Sequence, residues 1–207
     1  FATRTRVYWH ADGLHECHEN FKDMYNYKFL IEKAIKLGIR FVVNSDEDID
    51  ILRGMGIDDD QIYKLPPILR TTKHGIKNWK RPNLLTVGRF FPYKNHDLIY
   101  GWVNEVNKNL ELNLVGVADG LESELMVKNL VKMGARLVIN PTEDLIDKLF
   151  SRATHFLLAS EVESLGVVTL EAICSGAIPL VRRIGGISSY LPKRFLFDNK
   201  LDFQDKL

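Results

Sequence analysis

The sequence has few of the features that would assign it to a membrane, secreted or nucleic-acid-binding class. Its 207 residues include two cysteines, Cys17 and Cys174, which lie far apart, so a reducing compartment fits better than a disulfide framework. No apolar run approaches the ~20 residues of a membrane span, and no secretory signal is visible. The formal net charge is +1, which implies no strong general attraction to nucleic acid or acidic lipid. These absences predict a globular protein of the cytoplasm that does not bind nucleic acid.

What the sequence does contain is a regular alternation of strand and helix patterns. Before residue 66, strands are predicted at 5–9, 40–43 and 61–65. The first helix between them ends near Gly38 and the second at Gly54 or Gly56, and Ser45 is the predicted N-cap of the second. From Asn83 onward, strands are predicted at 84–87, 112–115, 136–139, 154–158, 178–181 and 195–197. Helices are predicted at 95–108, 121–133, 142–152 and 166–175, with a short turn at 187–191. Strands that alternate with helices indicate parallel sheets and an α/β fold.

The alternation stops between residues 66 and 82, which hold prolines at both ends and basic residues between them. This segment is predicted to be an interdomain linker, and a solvated surface loop is the alternative for its charges. Residues 83–207 then predict a doubly wound parallel domain of Rossmann type. Residues 1–65 predict part of a second Rossmann-like domain.

The most informative stretch runs from Ala159 to Pro179 and contains two glutamates, Glu163 and Glu171. The helix predicted after Gly166 is apolar nearly all round, which is typical of a buried helix. Glu171 lies within that helix and is therefore expected to be a buried carboxylate that needs a polar partner. Cys174 is expected to be a small buried hydrophobe of the same helix.

In open parallel sheets, ligands bind outside the carboxyl ends of the strands, and unusual residues collect there in this sequence. Arg89 and Lys94 follow the first strand of the second domain, and both side chains can bind one phosphate. The helix after Gly166 offers free amide donors to the same anion. Glu163 and Glu171 can accept hydrogen bonds from hydroxyl groups. Phosphate donors together with hydroxyl acceptors point to a nucleotide-sugar.

Each of these residues also has a structural interpretation. Arg89 and Lys94 can be surface charges, and Gly88 and Gly116 can simply end strands. A salt bridge to Arg89 would satisfy Glu171 without any ligand.

Several motifs resemble those of the retaining glycosyltransferases of family 4. Residues 163–171 resemble the E-x7-E motif, and 172–179 resemble the E-A-M-A-S-G-x-P run that follows it. Residues 185–187 resemble G-G-I-x-E, and 86–95 match V-G-R-x4-K-[GN]. Residues 43–45 and 64–67 resemble the segment that closes the family's first domain. The resemblance covers nearly the whole chain in register.

The resemblance implies a GT-B architecture, in which two Rossmann-like domains flank the active site and the second domain binds the donor. Residues 1–65 would be the C-terminal part of the acceptor-side domain, 66–82 the linker, and 83–207 the nucleotide-sugar-binding domain. The activity implied is transfer of a hexose from a nucleotide-diphosphate sugar to a hydroxyl of a glycan, lipid or small molecule. A lipid-linked acceptor would bring the protein to the cytoplasmic face of a membrane.

The resemblance also implies a role for individual residues. Arg89 and Lys94 would hold the diphosphate beside Gly88, Glu171 would accept from the ribose, and Glu163 would contact the donor sugar. The backbone of Leu165, Gly166 and Val167 would complete the diphosphate and sugar site. Asn140 would lie near the base. His10, or less favourably His15, would be the cleft histidine. No metal ion and no cofactor are implied, because the cationic side chains and the helix dipole stabilise the leaving diphosphate.

Some positions depart from the family pattern. Ser164 and Leu165 replace glycine and phenylalanine in the E-x7-E motif, and Ser189 replaces the acid after the glycine pair. The family's full first domain, its early glycine-rich loop and its final helix are not matched, so the chain is expected to be a fragment. Two alternative functions therefore stay open: a non-catalytic nucleotide-sugar-binding module and a GT-B nucleotide-sugar epimerase.

Overall fold

The computed structural model describes residues 8–10, 24–65, 67, 69, 77–163 and 165–207. The chain divides into two compact units. The first unit comprises Phe1–Ile68, Val162–Gly166 and Gly185–Ser189. The second comprises Leu69–Glu161, Val167–Ile184 and Tyr190–Leu207. The domain boundaries predicted from the sequence, with a linker at 66–82, stay predictions.

The first unit contains a small parallel sheet with helices between its strands. Its elements are β1 (Tyr8–His10), α1 (Met24–Lys36), β2 (Arg40–Val43), α2 (Asp46–Gly54) and β3 (Ile62–Lys64). The strands pair in the order β1-β2-β3, and both pairings are parallel. The predicted strand at 40–43 is confirmed at the same bounds.

Local sequence signals explain where the helices of this unit end and begin. After α1 the chain turns at Gly38, whose φ of +67° favours glycine. The backbone amide of Ile39 then donates to the carbonyl of Ala34 at 3.0 Å. At the start of α2, the Ser45 hydroxyl accepts from the amide of Asp48 at 3.1 Å, so the predicted N-cap is confirmed. The core of the unit consists of Ile31, Ala34, Phe41, Val43, Leu52 and Ile57.

The second unit alternates strictly between strands and helices. Its strands are β4 (Asn83–Val87), β5 (Glu111–Gly116), β6 (Arg136–Ile139), β7 (His155–Leu158), β8 (Ile178–Arg182) and β9 (Leu196–Phe197). Its helices are α3 (His96–Val106), α4 (Leu121–Lys132), α5 (Glu143–Arg152), α6 (Val167–Cys174), α7 (Ile187–Tyr190), which spans the boundary between the units, and α8 (Lys200–Lys206). Within the described ranges, no helix is both long and apolar enough to cross a membrane.

The six strands of the second unit form one parallel sheet in the order β6-β5-β4-β7-β8-β9. If β4 is counted as the first strand, this order is 3-2-1-4-5-6, that of the doubly wound dinucleotide-binding fold. The central strands are buried on both faces, as parallel sheets require, and Leu84, Leu114 and Phe156 are fully buried. The predicted α/β fold class with a parallel Rossmann-like sheet is confirmed.

Helix α8 is an element that the sequence pattern did not predict. Asn199 caps it by accepting from the amide of Asp202 at 3.1 Å. Phe203 anchors it against Phe197 and Trp102, with ring centroids 5.2 Å and 5.6 Å away. A helix of seven residues is too short to show a full apolar period, so tertiary packing stabilises it rather than its own pattern.

Helix α6 differs from the sequence-based expectation, and the prediction that it is buried all round is wrong. The helix packs on β7 and β8, and this buries only the stripe that holds Thr169 and Ala172. Ile173 and Cys174 on the other side are exposed, so Cys174 is not a core residue. Glu171 is half-buried rather than buried. A single sheet can cover only one face of a helix, and sequence hydrophobicity alone does not reveal that limit.

Candidate functional site

The order of the strands places one pair of loops at the position where this fold binds ligands. Strands β4 and β7 are neighbours in the sheet, and the connections leaving them run towards opposite edges. Ligands of doubly wound folds bind at such a topological switch point, outside the carboxyl ends of the two strands. The loop after β4 carries Arg89 and Lys94, and the connection after β7 carries Glu161 and Glu163.

The loop after β4 is held by backbone hydrogen bonds on both sides of Arg89. The amide of Gly88 donates to the carbonyl of Val115 at 2.9 Å, and that of Phe90 donates to Val117 at 3.0 Å. The Phe90 side chain is fully buried, whereas Arg89 between these two anchors is exposed. The main chain at Arg89 is thus fixed while its guanidinium faces solvent.

Lys94 is the last residue of a short 3-10 turn that follows Arg89 in the same loop. Its Cδ lies 3.9 Å from the position that a Cβ on Gly88 would take, so the side chain runs alongside Gly88. Its ammonium lies 5.2 Å from the centroid of the Tyr93 ring. The structure therefore places the Lys94 side chain beside Gly88, in the loop that also presents Arg89.

Gly116 has a role that goes beyond ending its strand. A Cβ at this position would lie 1.8 Å from the carbonyl oxygen of Gly88, which is part of the main chain. Only glycine permits this approach. The interpretation of Gly116 as a simple strand end is therefore insufficient, since the geometry of the Gly88 loop depends on it.

Asn140 ties the end of β6 to the end of β5. Its backbone is in the left-handed region with φ of +50°, and its amide donates to the carbonyl of Gly116 at 2.8 Å. Its side-chain oxygen accepts from the amide of Ala118 at 3.1 Å. Asn140 is exposed, and it follows β6, which lies two strands from β4 in the sheet.

The connection after β7 is joined to the β4 loop by hydrogen bonds that the sequence analysis missed. The amide of Glu161 donates to the carbonyl of Tyr93 at 2.8 Å. The side-chain amide of Asn95 donates to the carbonyl of Ala159 at 3.0 Å and to Oε1 of Glu161 at 3.3 Å. The two loops at the switch point are therefore one bonded structure.

Asn95 also explains a feature of the V-G-R-x4-K-[GN] motif. Its φ is +53°, a left-handed conformation that glycine and asparagine adopt most readily. The alternation of these two residue types in the motif was the signal by which this position could have been found. Asparagine, unlike glycine, adds the hydrogen bonds to the β7 side.

His96 is the second residue that the sequence analysis missed. It is the first residue of α3, and its side chain is almost fully buried. Nε2 lies 3.1 Å from the carbonyl oxygen of Arg89. Burial lowers the pKa of His96 from 6.5 to about 4, and the nearby charge of Lys94 also lowers it, while the bond to Arg89 and the charge of Asp97 raise it. The ring is therefore neutral at physiological pH.

The acidic motif begins with a close approach between two loops. The carbonyl oxygen of Glu163 lies 1.8 Å from the position that a Cβ on Gly185 would take, and Gly185 has φ of +62°. Glycine is required there for both reasons. The Glu163 side chain is half-buried, Leu165 is buried, and Gly166 has φ of +64° immediately before α6. Glu171 follows on the first turns of α6, one turn after Val167.

Neither of the two predicted histidines, His10 and His15, has a described side chain that can be placed at this site. His10 is the last residue of β1 in the first unit, and its side chain is outside the described part of the chain. His15 lies entirely outside the described residues. The site therefore rests on the residues that follow β4, β5, β6 and β7.

A parallel α/β fold with this strand order and these loops is that of the GT-B glycosyltransferases, and solved structures of that architecture match it. The TarM structure from S. aureus, solved with fondaparinux, alpha-GlcNAc-glycerol and UDP, superposes with a TM-score of 0.76. The two sequences are 20% identical, and the match covers 97% of this chain and 43% of TarM. A likeness at this identity shows the fold.

The sequence profile of the family described as "Glycosyl transferases group 1" matches residues 70–202, and this chain belongs to that family. It is 31% identical over 110 residues to the glycogen synthase of Elusimicrobium minutum, a match that covers 52% of this chain and 23% of that protein. It is 28% identical over 114 residues to the sulfoquinovosyl transferase SQD2 of Arabidopsis thaliana, covering 55% of this chain and 22% of SQD2. The matched part of the chain covers less than a quarter of the length of each of these relatives. The predicted resemblance to the glycosyltransferases is confirmed at the level of the family.

Proposed function

We propose that this chain carries the donor-binding part of a retaining glycosyltransferase that moves a hexose from a nucleotide-diphosphate sugar to a hydroxyl acceptor. The observation that carries the proposal is the bonded pair of loops at the switch point of the second unit. One loop presents Arg89 and Lys94 on a fixed main chain, and the other leads into the acidic motif. The UDP bound to TarM is consistent with such a ligand.

Arg89 and Lys94 would bind the diphosphate beside Gly88. The exposed guanidinium of Arg89 can chelate phosphate oxygens with its fork, and the Lys94 ammonium adds a point charge. A Cβ on Gly88 would be in van der Waals contact with His96 and Lys94, 3.7–3.9 Å away, so the Lys94 side chain lies directly beside this part of the loop. The backbone of Leu165, Gly166 and Val167, at the amino end of α6, would add amide donors.

The glutamates would bind the hydroxyl groups of the donor. Glu171 would accept from the ribose, and Glu163 would contact the sugar that is transferred. The main chain near Asn140 would contact the base. His10 is the candidate for a catalytic histidine on the acceptor side, and this assignment rests on the family resemblance alone.

In the proposed reaction, the bond between the anomeric carbon and the diphosphate oxygen breaks, and its electron pair leaves with the diphosphate. The acceptor hydroxyl attacks the same face, which retains the configuration, and its proton passes to the departing phosphate oxygen. Arg89 and Lys94 stabilise the charge that develops on the leaving group.

Because these two cations would stabilise the leaving group as a metal ion does in other enzymes, we propose that transfer needs no divalent cation. Unchanged turnover in excess EDTA is the expected result, and complete loss restored by Mg²⁺ or Mn²⁺ would contradict it.

The site is tested by titrating UDP-, GDP- and ADP-sugars into the 207-residue chain by calorimetry. Lys94→Ala, Arg89→Ala and Glu171→Gln should each weaken binding about tenfold or more, since each removes a charged partner of the ligand. Lys108→Ala is the matched control, because Lys108 is an exposed lysine just before the amino end of β5. If the first three variants bind as tightly as the parent chain, the assignment of the site is wrong.

Turnover separates a transferase from a nucleotide-sugar-binding module. The whole protein should transfer labelled sugar to an acceptor, drawn from glycans, lipids and small alcohols, and the product should keep the α-configuration by NMR. Release of an epimerised nucleotide-sugar would favour the epimerase alternative, and binding without any turnover would favour the binding module.

Cell fractionation of the tagged whole protein tests the predicted cytoplasmic location and contact with the membrane face.

A further inference from the structure

We propose that His96 is a positioning residue of the donor site, whose neutral ring donates from Nε2 to the carbonyl of Arg89 and so holds the phosphate-binding loop in its binding shape. The inference rests on the proposed function, because it assigns the diphosphate to the loop that contains Arg89. His96 does not touch the donor in this proposal. It acts through the main chain of the residues that do.

The His96 ring packs against three consecutive residues of that loop. Its Nε2 and Cε1 lie 3.7 Å and 3.8 Å from the position of a Cβ on Gly88. Nε2 lies 3.1 Å from the Arg89 carbonyl oxygen, and the ring centroid lies 5.2 Å from that of Phe90. One side chain at the start of α3 therefore supports the whole turn from which Arg89 projects.

The Arg89 carbonyl is the point on which this turn depends. It also accepts from the backbone amide of Phe91 at 2.8 Å, a bond between residues two apart that closes a tight turn around Phe90. A carbonyl oxygen has two acceptor positions, and the His96 ring takes the second one. Without that donor the carbonyl would face a buried ring with one position unsatisfied, and only the bond from the Phe91 amide and the bond from the Phe90 amide to Val117 would hold the peptide plane after Arg89.

The bond also defines the tautomer of the ring. Because a carbonyl can only accept, Nε2 must carry the hydrogen. Nδ1 is buried and finds no hydrogen-bond partner within the part of the chain that the structure describes. A proton on Nδ1 would therefore be a buried, unpaired donor, which is costly.

The polar and charged groups around the ring have opposite effects on the pKa of His96. Lys94, the lysine assigned to the diphosphate, disfavours a charge on His96, while Asp97 and the Arg89 carbonyl favour it, and burial outweighs both. A neutral ring leaves the positive charge of the loop to Arg89 and Lys94, the groups that are placed to reach a ligand. This arrangement predicts that the hydrogen-bond donor at position 96 matters for binding, and that a charge there does not.

The first test needs no ligand. In long-range ¹H–¹⁵N NMR spectra of the native chain at pH 7, His96 should show the neutral Nε2–H tautomer. A protonated ring or an Nδ1–H tautomer would overturn the proposal, whatever the chain binds.

The second test compares two substitutions with calorimetric titrations of UDP, GDP and ADP. His96→Phe keeps an aromatic ring but removes the donor, and it should weaken binding of the preferred nucleotide about tenfold. His96→Gln keeps a donor amide at a similar reach, and it should recover most of that loss. The ¹³C resonance of the Arg89 carbonyl should shift in the phenylalanine variant and stay near its native position in the glutamine variant.

Lys94→Ala separates failure of this inference from failure of the proposed function. If Lys94→Ala leaves the affinity unchanged, or if the parent chain binds none of the three nucleotides, the proposed function fails, and the tautomer alone decides the state of His96. If Lys94→Ala weakens binding and His96→Phe does not, the donor site stands and the role of His96 is wrong. Should His96→Phe not fold, equal affinity losses in His96→Gln and His96→Ala would overturn the inference, since rescue by a donor is what it requires.

Discussion

Two of the loops that carry predicted site residues are each shaped by a glycine that meets a carbonyl oxygen, but the surroundings of the two contacts differ. At Gly116 the contact is with Gly88, beside a continuous parallel ladder, and the residue is buried. At Gly185 the contact is with Glu163, in a connection between elements, and the backbone there is left-handed. The comparison shows that the Gly88 loop is part of the sheet, whereas the Glu163 connection rests on a contact between loops. Substitution at Gly116 should therefore cost more fold stability than substitution at Gly185, where the contacting loops can move apart.

The largest effect is expected from Gly116→Ala. The new methyl group would lie 1.8 Å from the Gly88 oxygen, and the paired strands cannot separate without losing ladder hydrogen bonds. We expect a loss of about 3 kcal/mol in the free energy of unfolding, measured in urea. Gly101→Ala in α3 is the control, since nothing lies within 4 Å of its Cβ position, and it should stabilise by about 0.5–1 kcal/mol. If Gly116→Ala is as stable as Gly101→Ala, the Gly88 carbonyl does not constrain position 116, and if it costs no more than Gly185→Ala, the distinction between the two contacts fails.

Acid should destabilise the folded chain through His96. The pKa of His96 is about 4 in the folded chain and 6.5 ordinarily, so the unfolded chain binds a proton that the folded one excludes between these values. Its contribution is present in full above pH 6.5 and is lost as the pH falls towards 4, by about 3 kcal/mol in total. Thermal unfolding of His96→Phe from pH 7 to 4 should show a shallower decline than that of the parent. Burial also lowers the pKa of His155, so part of the decline should persist in the variant, and parallel curves would contradict the assignment to His96.

Gly185→Ala should affect binding more than folding. The methyl group meets the Glu163 carbonyl and also imposes left-handed strain, which together should cost about 2 kcal/mol of stability. The displaced Glu163 loop should lower the affinity for a nucleotide-sugar further than that for the nucleotide diphosphate, because Glu163 is assigned to the sugar. Gly120→Ala is the control, with φ of +82° and no atom within 4 Å, and it should cost only about 1 kcal/mol. If both ligands lose affinity equally, Glu163 does not contact the sugar.

The smallest effect is expected where the two loops are joined. Asn95→Gly keeps the left-handed backbone but removes the bonds to Ala159 and Glu161, so the midpoint of thermal unfolding should fall by about 2–4 °C, or about 1 kcal/mol. Asn95→Ala adds left-handed strain and should cost about 1 kcal/mol more. If the glycine variant is as stable as the parent chain, the bond between the loops contributes nothing to stability.

Most of the fold was predictable because its signals are local. Strands β2 and β6 have the bounds that the pattern predicted, and the others differ by one or two residues within the described part of the chain. Ser45 and Gly38 mark helix ends by chemistry that neighbouring residues decide. Helix α8 escaped prediction because the helix is short and Phe203 packs against Trp102, which lies far away in sequence.

The motifs of the candidate site could be recognised in the sequence, but the burial and the hydrogen-bond partners of their residues could not. The roles of Arg89, Lys94, Glu163 and Glu171 stay predictions, and the motif spacing is what supports them. The burial of Glu171 and Cys174 was predicted wrongly, because an apolar composition does not tell which face a neighbouring sheet covers. His96 was missed because its partner, the Arg89 carbonyl, is a backbone group that no side-chain pattern encodes. Asn95 was missed because its partners Ala159 and Glu161 lie more than sixty residues away in sequence.

The sequence by itself determined the alternation of strands and helices, the positions of the glycines and charges at strand ends, and membership of the family. Those properties depend on residue type and short-range spacing. Only the tertiary structure decided that β4 lies beside β7, that Gly116 receives the Gly88 carbonyl, and that a neutral histidine supports Arg89. The reason is physical: strand order, close backbone approach and burial arise from contacts between distant segments, and their energies exist only once the chain has folded.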